Sequence, residues 1–267
     1  TKDNNQMTYI EKLIKFGATF QNERDNMQQS LFGDTAELSV SDPELPFCEP
    51  WSRHQQLKHE KEVIGFYISG HPLEQYNVEI ESFCNISLER LHEELHILEG
   101  REVKFAGIVT DAAHRMTKKG NPFGTFTIEG FDGQIQLAIF AEDYLKFKHF
   151  LTPDQCLFIR GRAQKRYKSE NNELEIKVLE IVLLSKVLDK YTEKITLCIH
   201  LKDIDEKGEK AWWIKKTIAE FPGKCTVKIN IAGDAQALTF HVPKTKVEPS
   251  SFIPQLVKAE FIDFRLN

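Results

Sequence analysis

The feature that most constrains the fold is a change in hydrophobic period at Arg101. Before this residue apolar side chains recur at helical spacing, and after it apolar and polar side chains alternate as in half-buried strands. The elements predicted in this block are strands at 102–110, 123–129 and 134–139, a helix at 141–150, and strands at 156–162 and 174–184. Three strands, a helix and two strands are the element order of an OB-fold, so we expect a five-stranded OB-fold β-barrel.

The rest of the chain divides around this block. Helices are predicted at 7–29, 53–66, 73–83 and 87–95, with Ser87 as the N-cap of the last one. A linker with Pro43, Pro46 and Pro50 separates the first helix from the second. The last part reads as strand 194–200, helix 205–221, strands 225–231 and 237–242, helix 251–258 and strand 261–266, the order of a split βαβ domain. The expected class is multi-domain α+β, with domains at 1–46 (helix, peptide and linker), 47–98 (helical segment), 99–190 (OB-fold) and 191–267 (C-terminal domain).

Composition excludes several classes of protein. No apolar run approaches the roughly 18 residues that a membrane span needs, and the first ten residues are too polar for a signal peptide. The five cysteines lie far apart without a C-x-x-C pair, which indicates reduced thiols in a cytoplasmic protein. The net charge is -5, yet residues 99–187 hold 14 Lys and Arg against 12 Asp and Glu. This mild local excess of positive charge is compatible with a nucleic-acid interface in the OB-fold block.

No constellation of catalytic residues is evident. The single close pair of aspartates, Asp203 and Asp205, falls where a strand meets a helix, and an N-cap at Asp205 is the ordinary use of such a residue. His71 lies at a turn, where a structural hydrogen bond is its expected role. The histidines have no metal-ligand spacing, and neither a P-loop nor a G-x-S-x-G motif is present. We therefore predict no active site, metal or cofactor in this chain.

Two basic segments of the OB-fold block are candidates for binding nucleic acid. In OB-folds the loops after the first and fourth strands flank the strand 2–3 face that binds oligonucleotides. The candidate residues are Arg115, Lys118, Lys119, Phe126, Arg162, Lys165, Arg166, Tyr167 and Lys168. Basic residues beside aromatic rings suit a single strand, because the cations contact phosphates and the rings stack on bases. The alternative is that the lysines are solvated loop charges and that Phe123 and Phe126 fill the barrel.

A pentapeptide near the N-terminus, Gln28-Gln29-Ser30-Leu31-Phe32, has a different character. Its Leu-Phe pair is surrounded by polar residues and has no local core to pack against. A glutamine, two spacers and Leu-Phe form the pattern with which bacterial replication proteins bind the sliding clamp. The sequence therefore predicts a clamp-binding peptide at Gln28, Ser30, Leu31 and Phe32.

Longer stretches give these pieces a common context. Four segments of the chain are distinctive. They are the run from Glu60 to Leu73 (EKEVIGFYISGHPL), Gly107-Ile108-Val109, the loop 117–121 (TKKGN) and Phe140. With these segments the chain resembles, over nearly its whole length, the C-terminal third of the alpha subunit of bacterial DNA polymerase III.

The resemblance implies a set of functions. The phosphoesterase-like domain, the palm with its catalytic aspartates and Mg²⁺, and most of the fingers would lie upstream, so this segment would be inactive by itself. The peptide would dock the sliding clamp (beta subunit), the barrel would bind single-stranded template DNA, and the final domain would dock the tau subunit of the clamp loader. Trp212 and Trp213 are candidates for the tau contact, with one ring expected to face the core and the other solvent.

Two other readings remain at this point. One is a free-standing OB-fold protein that binds nucleic acid, for example structured RNA, and carries a chance clamp-like peptide. The other is a complete metal-dependent enzyme, which the missing carboxylate cluster disfavours.

Overall fold

The computed structural model describes residues 7–29, 43–45, 47–166, 173–203, 208–233, 237–259 and 261–267. The chain splits into two compact units, residues 1–66 and 67–267. In the first unit, helices α1 (Tyr9–Gln29) and α2 (Arg53–Ile64) confirm the two predicted helices. Ser52 caps α2: its hydroxyl accepts a hydrogen bond from the Gln55 N–H, and the Gln55 side chain accepts one from the Ser52 N–H.

The second unit begins with the short helices α3 (Asn77–Phe83) and α4 (Leu88–Glu94). A 3-10 turn at Glu74–Tyr76 precedes α3, so the helix predicted at 73–83 forms in two pieces. Ser87 caps α4 as expected, because its hydroxyl accepts a hydrogen bond from the Arg90 N–H.

The OB-fold block follows, with the predicted element order. Its elements are β1 (Glu102–Met116), β2 (Pro122–Glu129), β3 (Gln134–Phe140), α5 (Ala141–Phe147), β4 (Cys156–Lys165) and β5 (Leu174–Leu183). The strands form one antiparallel sheet in the order β3-β2-β1-β4-β5. The first half of β1 pairs with β4 and the second half with β2, which explains why β1 extends beyond its predicted end at residue 110.

The predicted barrel needs one correction: in the described residues β3 and β5 are the two edges of the sheet and are not paired with each other. Leu88 and Leu91 of α4 belong to the same core as Phe105, Phe126 and the other inward side chains of the sheet. The helical segment thus supplies apolar side chains to a core that the open sheet does not enclose alone.

The C-terminal part contains a helix that the sequence did not reveal, α6 (Val187–Tyr191), and then the predicted βαββαβ order. Its elements are β6 (Lys194–His200), α7 (Glu209–Glu220), β7 (Pro222–Ala232), β8 (Ala237–Val247), α8 (Pro249–Lys258) and β9 (Asp263–Leu266). The sheet order is β8-β7-β6-β9, and β6 and β7 are parallel neighbours. In a split arrangement another strand would lie between these two. Element order contains no information on pairing, and here the pairing is that of an unsplit βαβ unit.

Helix α7 begins later than predicted. Gly208, at φ +72°, occupies its N-cap position, so Asp205 is not the cap; residues 204–207 lie outside the described chain.

A third apolar cluster, built from Leu73, Phe158, Val182, Leu184 and Val187, packs on the outer face of the OB sheet. Phe83 contacts both this cluster and the core of the C-terminal sheet, and it thereby connects the two sheets through α3. None of the described helices has the length and hydropathy needed to cross a membrane.

Candidate nucleic-acid interface

The outer face of β2 and β3 is a strip of polar and aromatic side chains. Side chains alternate along both strands, so the inward residues Phe126, Ile128, Leu137 and Ile139 are buried. The outward residues form cross-strand pairs: Phe123 with Phe140, Thr125 with Ala138, Thr127 with Gln136, and Glu129 with Gln134. At about 3.3 Å per residue, the strip is about 20 Å long, which suits the few nucleotides that one OB-fold holds.

One end of the strip carries a pair of stacked rings. The centroids of Phe123 and Phe140 are 5.4 Å apart and the ring planes differ by 16°. Phe140 is 52 % exposed, an unusual position for a phenylalanine that has a core available on the other side of its own strand. Sequence reasoning did not assign Phe140 a binding role. Its sequence position does indicate an outward ring, because Phe140 is in phase with the polar residues Gln134 and Gln136 on β3.

The loop between β1 and β2 places cations beside this aromatic pair. The Thr117 N–H donates to the Asn121 carbonyl at 2.8 Å, the Gly120 N–H donates to the Thr117 carbonyl at 2.9 Å, and Gly120 takes φ +80°. This tight turn holds Lys118 and Lys119 at its exposed tip. Arg115 precedes the turn, as the exposed β1 partner of Phe123. Across the described residues, none of the three cations forms a side-chain ion pair or hydrogen bond.

The loop between β4 and β5 differs from the first loop. Lys165 Nζ lies 3.5 Å from Glu99 Oε1, and Arg166 Nη1 lies 3.6 Å from Glu173 Oε2, so a carboxylate neighbours each cation. Tyr167 and Lys168 lie outside the described residues. Arg162 pairs with Glu102 at the start of β1, whereas β2 pairs with the second half of that strand. The structure therefore does not bring Arg162 to the strip.

A groove of about 640 Å³ follows the strip toward the open edge of the sheet. Strands β2 and β3 line it with polar, uncharged residues (Thr125, Thr127, Gln134 and Gln136) and with apolar ones (Ile135, Leu137 and Ala138). His92 and Leu95 line it from the helical segment, and Arg166 and Glu175 line it from the side of β5. These threonines and glutamines were not among the residues predicted to bind nucleic acid. Their hydroxyl and amide groups both donate and accept hydrogen bonds, which suits base edges and sugars.

Phe126 requires a correction. The sequence placed it among the candidate stacking residues, but its ring is 0 % exposed and belongs to the central core. A ring enclosed on all sides by protein cannot stack on a base. The alternative that Phe126 fills the barrel is the right one, and the exposed ring of the pair on this face is Phe140.

On the outer face of β4 and β5 a charge network ties the sheet to α6. Arg160 Nη2 lies 2.9 Å from Glu180 Oε2, Arg160 Nη1 lies 3.5 Å from Glu102 Oε2, and Lys190 donates a hydrogen bond to Glu180. Burial raises the pKa of Glu180, but the hydrogen bonds from Lys190 and Arg160, together with the nearby Tyr191 hydroxyl, outweigh it, so the pKa lies below its ordinary value. Burial and the Glu180 carboxylate together raise the pKa of Tyr191. These cations are already neutralised within the fold.

The other predicted sites fall in different parts of the chain. The backbone of Gln28 lies in the last turn of α1, and Ser30, Leu31 and Phe32 lie outside the described residues.

Trp213 packs against the C-terminal core, with its ring centroid 5.5 Å from that of Phe261. Trp212 is 63 % exposed, with Lys216 Nζ 5.2 Å from its ring. The expectation of one inward and one outward tryptophan is confirmed. Within the described ranges no group of three His, Cys, Asp or Glu side chains is placed to hold a metal ion.

The sequence is similar to a family of nucleic-acid-binding domains and to subunits of bacterial DNA polymerases. Residues 103–184 match the family described as OB-fold nucleic acid binding domain (tRNA_anti-codon). The DNA polymerase III subunit alpha of Halalkalibacterium halodurans is 26% identical over 261 residues, which are 95% of this chain and 22% of that protein. The subunits of Escherichia coli O157:H7 and Borreliella burgdorferi are 27% and 31% identical over 67% and 60% of this chain, and over 15% and 14% of their own lengths.

The chain thus spans less than a quarter of the length of these relatives. A solved structure, the mitochondrial single-stranded DNA binding protein of S. cerevisiae, aligns with 32% of this chain and 95% of its own at 13% identity. Its TM-score is 0.25, at which the alignment does not establish a shared fold.

Proposed function

Given that this chain is homologous to the C-terminal region of the bacterial DNA polymerase III alpha subunit, we propose that it is a binding segment of a replicative DNA polymerase. In this proposal the outer face of β2 and β3 holds single-stranded template DNA. The homology supports the setting, and the OB-fold supports the kind of ligand. Sequence-independent binding is expected, because a template strand presents every base in turn.

One observation carries the proposal: at one end of the strip a stacked pair of phenylalanines, of which Phe140 is exposed and Phe123 partly buried, lies beside three cations that make no ion pair within the described residues. Phe123 and Phe140 offer a flat apolar surface on which a base can stack, and Arg115 lies opposite Phe123 on the neighbouring strand. Stacking on an aromatic ring contributes about 1–3 kcal/mol per base and tolerates any base. The unpaired cations can neutralise phosphates without first breaking an internal ion pair.

The direct test is fluorescence-anisotropy titration of the full chain with labelled oligothymidine at several salt concentrations. Each phosphate contact in a single strand contributes about -0.7 to the log–log salt slope, so the three cations alone predict a slope of about -2. Competition with an RNA hairpin separates a template-binding segment from an RNA-binding OB-fold protein. Tighter binding to the hairpin than to the single strand, or no binding at low salt, would reject the proposal.

We also propose that the peptide Gln28-Gln29-Ser30-Leu31-Phe32 docks the sliding clamp. Burial of Leu31 and Phe32 in a clamp groove would contribute about 1.5–3 kcal/mol each before ordering costs, so isolated binding should be weak. Linkage to DNA-bound polymerase raises the effective concentration of the peptide, and weak docking then suffices for processive synthesis. Leu31→Ala with Phe32→Ala should abolish calorimetric binding to the clamp and leave the thermal unfolding of the chain unchanged. Equal clamp affinity in parent and variant would reject this site.

For the C-terminal domain we propose a contact with the tau subunit of the clamp loader, with Trp212 as the first residue to test. Its exposed ring is the kind of anchor that protein interfaces bury. Trp212→Ala should weaken tau binding, while Lys215→Ala, on the same helix, serves as the control. We assign polymerase catalysis and its Mg²⁺ to another part of the parent polypeptide.

A further inference from the structure

The second sheet has one covered and one uncovered face. Helices α7 and α8 pack on the first face, where Ile195, Leu197 and Val227 are buried together with Phe252 and Leu256. The side chains of alternate residues point to the other face, and they are polar: Lys194, Thr196 and Cys198 on β6, Thr226, Lys228 and Asn230 on β7, Thr239 and Lys246 on β8, and Asp263 and Arg265 on β9.

The strand register arranges four cations on this face in two rows. In one row Thr226 of β7 lies between Lys246 of β8 and Lys194 of β6. In the next row Thr196 of β6 lies between Lys228 of β7 and Arg265 of β9. Each row therefore reads cation, threonine, cation. With neighbouring strands about 4.8 Å apart and alternate residues about 6.6 Å apart, the cations are about 10 Å apart across a row and the rows about 7 Å apart.

These four cations have no ion-pair partner within the described part of the chain. Among the described residues, the side chains of Lys194, Lys228, Lys246 and Arg265 make no ion pair or hydrogen bond. The one carboxylate on the described part of this face, Asp263, belongs to the following row, as the partner of Cys198. The chain as a whole has a net charge of -5, so this positive face is not a consequence of overall composition.

We propose that the uncovered face of the β8-β7-β6-β9 sheet is a second contact surface for the phosphate backbone of a single-stranded nucleic acid. Backbone contacts need cations and hydroxyl donors on an accessible surface. Both rows supply cations, and Thr196 supplies a hydroxyl, whereas the Thr226 hydroxyl already donates to the Glu193 carbonyl at 3.2 Å. A protein partner would call for buried apolar or aromatic anchors, and the described residues of this face include no Phe, Tyr, Trp, Leu, Ile or Val. Without rings for stacking, binding here depends on charge and is independent of sequence. The inference does not require the β2–β3 strip to bind.

The test uses the full chain and oligothymidine of about 40 nucleotides, titrated between about 50 and 200 mM salt. Lys228→Ala with Arg265→Ala removes both cations of one row, and two lost phosphate contacts should flatten the log–log salt slope by about 1.4. The matched control is Lys215→Ala with Lys258→Ala, two exposed lysines on the helices that cover the other face. The control should keep the parent slope. Circular dichroism melting of both variants checks that the exposed substitutions leave folding unchanged.

A parent slope in the Lys228→Ala, Arg265→Ala variant would overturn the inference. So would a variant that keeps oligothymidine binding but loses binding to polyglutamate, since that result would point to an acidic protein partner. The variant Phe123→Ala with Phe140→Ala separates this inference from the proposed function. If it retains full affinity while the sheet variant loses slope, the strip proposal fails and the second surface stands.

Discussion

The two basic loops of the OB sheet differ in whether their cations have carboxylate partners among the described residues. At the β1–β2 loop, Arg115, Lys118 and Lys119 are exposed and have no carboxylate partner among the described residues. On the β4–β5 half, Lys165 neighbours Glu99, Arg166 neighbours Glu173, and Arg160 binds both Glu102 and Glu180.

The pairing of a cation within the fold decides how much a basic segment can contribute to nucleic-acid binding. A cation that already has a carboxylate partner must lose that partner, or share it, before it contacts a phosphate. The net gain from its nucleic-acid contact is correspondingly small. Counting lysines along the sequence weights both loops equally, whereas their tertiary partners make the cations of the β1–β2 loop the better candidates for contacting phosphates.

The largest expected effect concerns the aromatic pair on the unpaired half. Phe123→Ala with Phe140→Ala should weaken oligothymidine binding by about 1–3 kcal/mol for each base that stacks there. Phe131→Ala is the control, because Phe131 is also an exposed phenylalanine of this sheet but lies at the β2–β3 turn. Anisotropy titration at constant salt measures both. Equal losses in the two variants would mean that the strip has no special role.

The next effect compares the two loops directly. Replacement of Arg115, Lys118 and Lys119 by Ala should flatten the log–log salt slope by about 2, because each cation faces solvent and is free for a phosphate. Lys165→Ala with Arg166→Ala should change the slope by less than about 1.4, since Glu99 and Glu173 already neutralise these cations in part. The same change per residue in both loops would break the comparison.

A smaller effect is expected within the charge network. Arg160→Ala should lower the free energy of unfolding by about 1 kcal/mol or less, the range for partly exposed ion pairs, and should leave oligothymidine binding unchanged. Arg162→Ala serves as the neighbouring control, because Arg162 is exposed and makes no ion pair among the described residues. Urea denaturation and anisotropy distinguish the two roles. Loss of DNA affinity in either variant would extend the binding surface to the outer face of β4.

The smallest effect is a pH dependence of that network. The folded pKa of Glu180 lies below its ordinary value, so its contribution to stability is complete above the unfolded pKa of about 4.5 and is lost as pH falls through the folded pKa. In the Arg160→Ala variant the pKa of Glu180 in the folded state should rise toward its ordinary value. The free energy of unfolding should therefore fall less on acidification than it does in the parent chain. Carboxyl chemical shifts titrated by NMR measure both values. An unchanged Glu180 pKa in the variant would show that Arg160 does not contribute to the shift.

Much of the fold followed from local pattern. The alternation after Arg101 predicted all five strands of the OB-fold block, and Ser87 was identified as a helix cap from its type and position. Among the features of the fold that did not follow are the short helix α6, the adjacency of β6 and β7, and the open edges of the OB sheet. Helix α6 has five residues, too few for a helical period to be recognised, and strand adjacency depends on contacts between distant segments.

At the candidate site, residue type predicted less than it did for the fold. Residue type placed the basic loop at Lys118 and Lys119 correctly on the surface, but it could not separate Phe126 from Phe140. Both are phenylalanines on strands of one sheet, and only their phase relative to the core makes the first fully buried and the second half-exposed. A one-residue shift of phase exchanges the two faces of a strand, so this distinction is set by register.

Local sequence specified the order of the helices and strands and the side-chain chemistry available, because hydrophobic period and turn residues are local properties. The tertiary structure decided which cations remain free, since Glu99, Glu102 and Glu180 are far in sequence from their partners in the β4–β5 half. It also decided that Lys194, Lys228, Lys246 and Arg265 share one face, because four strands separated by helices and turns must first pair in register.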